Sequence, residues 1–280
     1  MREVSFHING RRLQALVWGE PGAVPVLALH GWLDNAASFI PLGERLQGVQ
    51  LVALDMAGHG HSDHRTADGE YAIWSDLPDI EAVVDQLGWE RFVLLGHSRG
   101  AIISTLYASS RPDRVCRLAL LDGLQPPLVD AAETPQQLAS FLDDRKRLLD
   151  KPGREFTSVE EALALRQRFG LGGESVRAIV ERNLKPSPLG WQWRFDPRLQ
   201  GASSFKLTEA HSRAVLTGLS MPGLLLLADQ GLGRVATLPD VPATVKTVRV
   251  PGGHHCHIAE SLDEVSQYLN PFILEEADSP

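Results

Sequence analysis

Cysteine is scarce: Cys116 and Cys256 stand alone among 280 residues, in unrelated contexts. That scarcity argues against a disulfide framework and fits a reducing compartment. Positive charge is short as well. The formal net charge is −8, with acidic residues spread along the chain. Nucleic acid therefore finds no basic stripe to bind. The apolar runs end far too soon to span a bilayer. The opening MREVSFHINGRR lacks the apolar centre of a signal peptide, so the expectation is a cytoplasmic protein. There is no internal repeat and no low-complexity segment.

What is present is the pattern of a packed domain. Hydrophobic residues make up 43%, the usual share for a folded protein with one large core. The opening segment alternates polar and apolar residues around Asn9-Gly10, which predicts a hairpin. Six short apolar runs follow, at 24–30, 49–55, 91–97, 116–122, 223–229 and 244–251. Continuous apolar character over five or six residues marks strands covered on both faces. Helical patterns alternate with them. Leu77, Ile80, Val83, Val84 and Leu87 recur at helical spacing before Gly88, and AIISTLYASSRPD stops at Pro112. This alternation predicts a mostly parallel sheet with helices on both faces.

The rhythm breaks between 124 and 217. Helical patterns near 135–150, 158–169 and 174–184 precede SPLGWQWRFDPRL, with its turn residues and two tryptophans. The expected organisation is a core of 1–123 and 218–280 with an all-helical lid, 124–217, inserted late in the sheet. Trp191 and Trp193 suit lid core or pocket wall. The tail EEADSP is expected to fray.

LLGHSRGA, residues 94–101, places G-x-S-x-G between a strand and a helix. Gly96 and Gly100 permit a sharp turn there, which presents Ser98 at the sheet edge. The helix N-terminus favours negative charge beside it.

With this motif the chain resembles the α/β-hydrolase superfamily. LALHGW (27–32) is similar to its His-Gly segment, LDMAGHGHSD (54–63) to a structural loop, and VPGGHHCHIAE (250–260) to the segment carrying a late catalytic histidine. HGWLDNAASF, PGGHHCHIAE and RFDPRL together resemble its serine-hydrolase-like, or kraken-like, subfamily. The resemblance implies an α/β-hydrolase fold and a serine hydrolase acting on a small ester-like molecule through an acyl-enzyme. It implies Ser98 as nucleophile and His254 as base, with His255 and His257 as structural neighbours. The backbone N–H groups of Trp32 and Arg99 would line an oxyanion hole. His30 would be structural. The implied machinery needs no cofactor and no metal. The Arg99 side chain fits either an anionic substrate or a salt bridge.

The acid has two candidates. The superfamily's frequent Gly-x-x-Asp pattern, laid on 228–231, puts Gly231 where the aspartate belongs, and Asp229 comes two residues early. The other known location is the end of the preceding strand, where RLALLD ends in Asp122. Both keep the chain order Ser, Asp, His. Asp122 is the preferred assignment and Asp229 the alternative.

Two readings from other classes remain. HGHSDH (59–64) matches the H-x-H-x-D-H pattern of binuclear zinc hydrolases. That pattern belongs to a β-sandwich fold, which the helix-rich alternation does not suggest. A catalytically impaired binding protein would need a triad member to be missing.

Overall fold

Asn9 and Gly10 both adopt positive φ, 49° and 77°. A two-residue hairpin of type I′ requires this. The turn pairs β1 (Arg2–Ile8) with β2 (Arg11–Trp18) in antiparallel register, Ile8 opposite Arg11. The computed structural model describes residues 1–167, 175–232, 241–258 and 261–275. The remaining strands of the main sheet are β3 (Val24–Leu29), β4 (Val49–Leu54), β5 (Phe92–His97), β6 (Val115–Leu121), β10 (Gly223–Gln230) and β11 (Val245–Gly253). They match the six apolar runs to within about two residues. Between β6 and β10 lie the short strands β7 (Glu155–Phe156), β8 (Leu184–Ser187) and β9 (Gly190–Trp193). The α-helices are α1 (Ile40–Gly43), α2 (Leu77–Gln86), α3 (Arg99–Ser110), α4 (Thr134–Leu148), α5 (Val159–Gln167), α6 (Ser175–Arg182), α7 (Glu209–Thr217) and α8 (Leu262–Leu274).

The strand order is β1-β2-β4-β3-β5-β6-β10-β11, parallel from β4 to β11. Side chains alternate across this sheet and fill two cores. Along β3, Leu27 and Leu29 enter one core while Val26 and Ala28 enter the other. The first core takes Ile80, Val83 and Val84 of α2 and Ile103 and Tyr107 of α3. The second takes Leu42 of α1 and Val265, Leu269 and Ile273 of α8. Apolar burial on both faces is what makes the parallel strands read as unbroken hydrophobic runs.

The segment 124–217 departs from the all-helical expectation. Its helices α4, α5 and α6 fall near the predicted positions, but β7, β9 and β8 form a separate antiparallel sheet in that order. β8 and β9 are a hairpin closed by Pro188 and Leu189, with Ser187 paired to Gly190. Pro186 is tolerated because β8 is an edge strand. Phe156, Val180, Leu184, Trp193 and Phe195 give this segment a small core of its own. Trp193 is 5% exposed, with its ring edge-on to Phe156.

Buried polar contacts pin the segment to the main sheet. Asn35 Nδ2 donates to Ile179 O (2.8 Å), and Asn183 Nδ2 to Leu33 O (3.1 Å). Arg182 reaches Asp55, with Nε to Oδ2 at 2.9 Å. The far ends of the helical patterns 158–169 and 174–184 touch residues 168–174, outside the described residues, as do residues 276–280 of the tail. No helix among the described residues is long and apolar enough to cross a membrane. Cys116 and Cys256 are free thiols.

Candidate active site

Ser98 is the single residue between β5 and α3. Its φ of 52° and ψ of −116° lie in a region that costs a non-glycine residue about 1–3 kcal/mol. Tight packing imposes that conformation. A Cβ on Gly100 would fall 2.0 Å from Leu29 O, and one on Gly96 would fall 2.5 Å from Ala101 Cα. Only glycine fits at either place, so the helix starts hard against the sheet and the serine hydroxyl stands clear of it.

His254 follows β11. Its Nε2 lies 2.8 Å from Ser98 Oγ, and its Nδ1 lies 2.6 Å from Asp122 Oδ2. A carboxylate only accepts, so the imidazole proton belongs on Nδ1. Nε2 is then free to accept the Ser98 hydroxyl. Asp122, at the end of β6, is fully buried. Ala228 N–H and Leu232 N–H donate to its two oxygens at 3.1 and 2.8 Å. Of the two acids left open by sequence, Asp122 therefore meets His254. Asp229 stands apart: its side chain is 54% exposed, with Arg249 at 3.9 Å.

The other predicted positions have clear surroundings. His30 is buried, accepts Met56 N–H at Nε2 (3.0 Å) and donates from Nδ1 to Gly31 O (2.7 Å). It braces the loop, as the resemblance implies. Trp32 lines the cavity above Ser98, and its indole N–H donates to Leu199 O at 2.8 Å. Arg99 opens α3, where the backbone N–H has no acceptor within the helix. Its side chain turns away to Asp76 (2.9 Å) and Tyr71 O (3.0 Å). Of the two alternatives for this side chain, the salt bridge is the contact present.

The residues of HGHSDH point to separate partners. His59 is buried with Nδ1 on Ala57 O; His61 Nδ1 meets Glu3; His64 Nε2 meets Arg194 O; Asp63 accepts Arg12 N–H. The loop is tied down by Asp55, which accepts His61 N–H at 2.9 Å, and by Ser62, which accepts Gln14 N–H. These side chains do not converge on a metal position.

Among the described residues, the group of histidines and carboxylates close enough to share an ion is Asp34, His97 and His255. Protein donors already engage it. Arg166 meets Asp34 Oδ1 at 2.7 Å, and His255 meets Oδ2 at 3.0 Å. Burial alone would raise the Asp34 carboxyl. The His255 hydrogen bond and the electrostatic pull of His255 and Arg166 overcome it and hold Asp34 well below the usual carboxylate range. His97 donates from Nε2 to the backbone carbonyl of His254 (2.9 Å). Burial, then its histidine neighbours, depress its pKa well below the usual value, so the ring is neutral. Burial and His255 likewise push His257 down to about 3. Sequence reasoning missed Asp34. Its partners lie 132 and 221 residues away, and no local pattern announces them.

The cavity over Ser98 measures about 600 Å³. Trp32, Leu33, Leu165, Trp193 and Phe195 supply its apolar walls, with His254 beside the serine. The arrangement is a hydroxyl, an oriented imidazole and a buried carboxylate in series at the floor of a pocket sized for a small organic molecule.

Comparison with known proteins agrees with this architecture. The profile of the α/β hydrolase fold family matches residues 24–169, and the chain belongs to that family. Across 98% of its length it is 31% identical to a probable serine hydrolase of Drosophila melanogaster, covering 88% of that protein. A hypothetical protein from Pseudomonas aeruginosa PAO1 superposes with a TM-score of 0.91 at 39% identity, over 97% of this chain and 99% of that one. The thioesterase domain from the curacin biosynthetic pathway superposes at 0.82 and 26% identity, over 96% and 99%. The chain is thus serine-hydrolase-like within the α/β hydrolases, and this kinship supports hydrolase activity.

Proposed function

We propose that the protein hydrolyses an ester-like bond of a small molecule by two acyl transfers through Ser98. The observation that carries this reading is the unbroken hydrogen-bonded series Asp122–His254–Ser98 at the cavity floor. In the first transfer Ser98 Oγ bonds to the carbonyl carbon while its proton passes to His254 Nε2. Asp122 stabilises the resulting imidazolium. The backbone N–H groups of Trp32 and Arg99 hold the oxyanion. As the tetrahedral intermediate collapses, the bond to the leaving group breaks, and that group takes the proton from His254. In the second transfer water gives its proton to His254 and attacks the acyl carbon. Ser98 leaves with that proton, releasing a carboxylic acid.

The segment 124–217 serves as the lid in this reading, over a core of 1–123 and 218–280. Oxygen esters and thioesters both suit the machinery, and the thioesterase-domain neighbour supports including the latter. The binding-only alternative has no missing triad member to support it. Turnover of a para-nitrophenyl acyl series, with Ser98→Ala as the control, tests the proposal. We expect chain-length-dependent hydrolysis that falls by about 10⁴-fold or more in the variant. Undiminished turnover by folded Ser98→Ala would refute it.

A further inference from the structure

The cavity above Ser98 has a charge the rest of the chain does not share. The protein carries 35 acidic and 27 basic residues. Yet among the described cavity-lining residues the cations are Lys151, Arg154 and Arg166, against the single carboxylate of Asp34. Asp34 is engaged on both oxygens, by Arg166 and by His255. Arg166 is therefore neutralised locally. Lys151 and Arg154 show no ion pair among the described residues. The nearby Glu161 is turned to Thr157, whose N–H and hydroxyl it accepts.

Both cations are exposed, and the backbone that carries Arg154 is held in place. They flank Pro152-Gly153, and the chain at Gly153 and Arg154 is bonded to β9. Gln192 Nε2 donates to Gly153 O at 2.9 Å, and Trp193 N–H to Arg154 O at 3.2 Å. A Cβ on Gly153 would fall 2.9 Å from Trp193 O, so the backbones approach as closely as glycine allows. The Arg154 guanidinium lies 5.3 Å over the Phe156 ring. A flat cation resting on an aromatic face keeps its N–H donors free for an anion. The same cavity has apolar walls, with Leu165, Trp193 and Phe195. A pocket lined by a serine, apolar walls and two cations that make no ion pair among the described residues complements a molecule with the same parts.

We propose that the substrate is an anionic ester or thioester, whose carboxylate or phosphate-type group is bound by Lys151 and Arg154 while its acyl body lies on the apolar walls. This rests on the acyl-transfer reading of Ser98. It assigns the charge preference to the 149–154 link rather than to Arg99. A low-dielectric wall beside the cations focuses their field into the cavity, and in water that field reaches about 8 Å at physiological salt.

Three matched esters test it: para-nitrophenyl valerate, mono-para-nitrophenyl glutarate and para-nitrophenyl 4-phosphonobutyrate. They differ only in a terminal methyl, carboxylate or phosphonate. The wild-type kcat/KM is expected to favour at least one anionic ester over valerate by about tenfold or more. Which of the two leads distinguishes a carboxylate from a phosphate-type group. About 0.5 M sodium chloride should erode the preference. In Lys151→Gln/Arg154→Gln the anionic-to-neutral ratio should fall to near one, and in Lys151→Glu/Arg154→Glu it should invert. A ratio near or below one in the wild type, or one unchanged in both double variants, overturns the proposal. If valerate is still cleaved in a Ser98-dependent way, the acyl-transfer reading survives that failure. Cleavage of none of the three esters would overturn both.

Discussion

Asp122 has a φ of 44°, unusual for a residue with a side chain. Aspartate tolerates that region better than most residues. Its carboxylate occupies space that another residue leaves empty. A Cβ on Gly231 would lie 2.1 Å from Asp122 Oδ2. Position 231 is where the Gly-x-x-Asp pattern would put the acid. The glycine there thus makes room for a carboxylate delivered from the neighbouring strand. Asp122→Asn should lower kcat by about 10³–10⁴-fold, because the amide cannot hold the imidazole in its working tautomer. Asp229→Asn should change it by less than about threefold, as expected for an exposed group whose partner is Arg249 rather than His254. Gly231→Ala should impair turnover by displacing the carboxylate. Asp122→Gly/Gly231→Asp should recover at least about tenfold over Asp122→Gly, since the acid returns to the vacated place. Steady-state kinetics on one ester checks all four. The reverse ranking of the two asparagine variants would move the acid to Asp229. That Ser98 and His254 would meet was legible, because local glycine patterns mark both segments. The acid was not, because chain order is the same for both candidates and only geometry separates them.

At the scale of elements, burial decided what the sequence could reveal. Strands β3, β5, β6 and β10 are apolar on both faces and stand out as runs. β7 has two residues and β8 carries Pro186, so neither shows strand periodicity. Both owe their conformation to β9, which pairs with each of them. Long-range polar contacts were equally invisible. Arg182 at the end of α6 bonds Asp55, which is fully buried, and Glu3 in β1. One side chain thus joins the inserted segment, the loop after β4 and the edge strand. Arg182→Ala should destabilise the fold by about 3 kcal/mol, because it leaves a buried carboxylate without its cation. Urea unfolding measures this, with an expected fall in midpoint. An unchanged midpoint would mean that the backbone donors Ala36 N–H and His61 N–H suffice for Asp55.

Across the whole molecule, histidine sets the response to acid. His30, His59, His97 and His257 are buried, and burial is the first cause lowering each pKa. The unfolded chain, with histidines near 6.5, takes up protons that the fold refuses. Their neutral burial is therefore fully tolerated above about pH 6.5 and becomes destabilising as pH falls below it. Each such imidazole contributes up to about 1.4 kcal/mol per pH unit to the loss. Asp34 has the depressed pKa of a paired acid, so its stabilisation is present above about pH 4 and fails only in stronger acid. Unfolding free energy should therefore decline between pH 6.5 and about 5, before carboxylates titrate. A flat profile across that window, measured by urea denaturation, would contradict the neutral assignment of these rings.

Ser98 is proposed as a covalent nucleophile, and the most direct measurement of that role is the intact mass after reaction with a fluorophosphonate probe. One probe equivalent per chain is predicted, mapped by peptide sequencing to the segment containing Ser98 and absent from Ser98→Ala. No adduct on the folded protein, or an adduct retained in Ser98→Ala, would contradict the account.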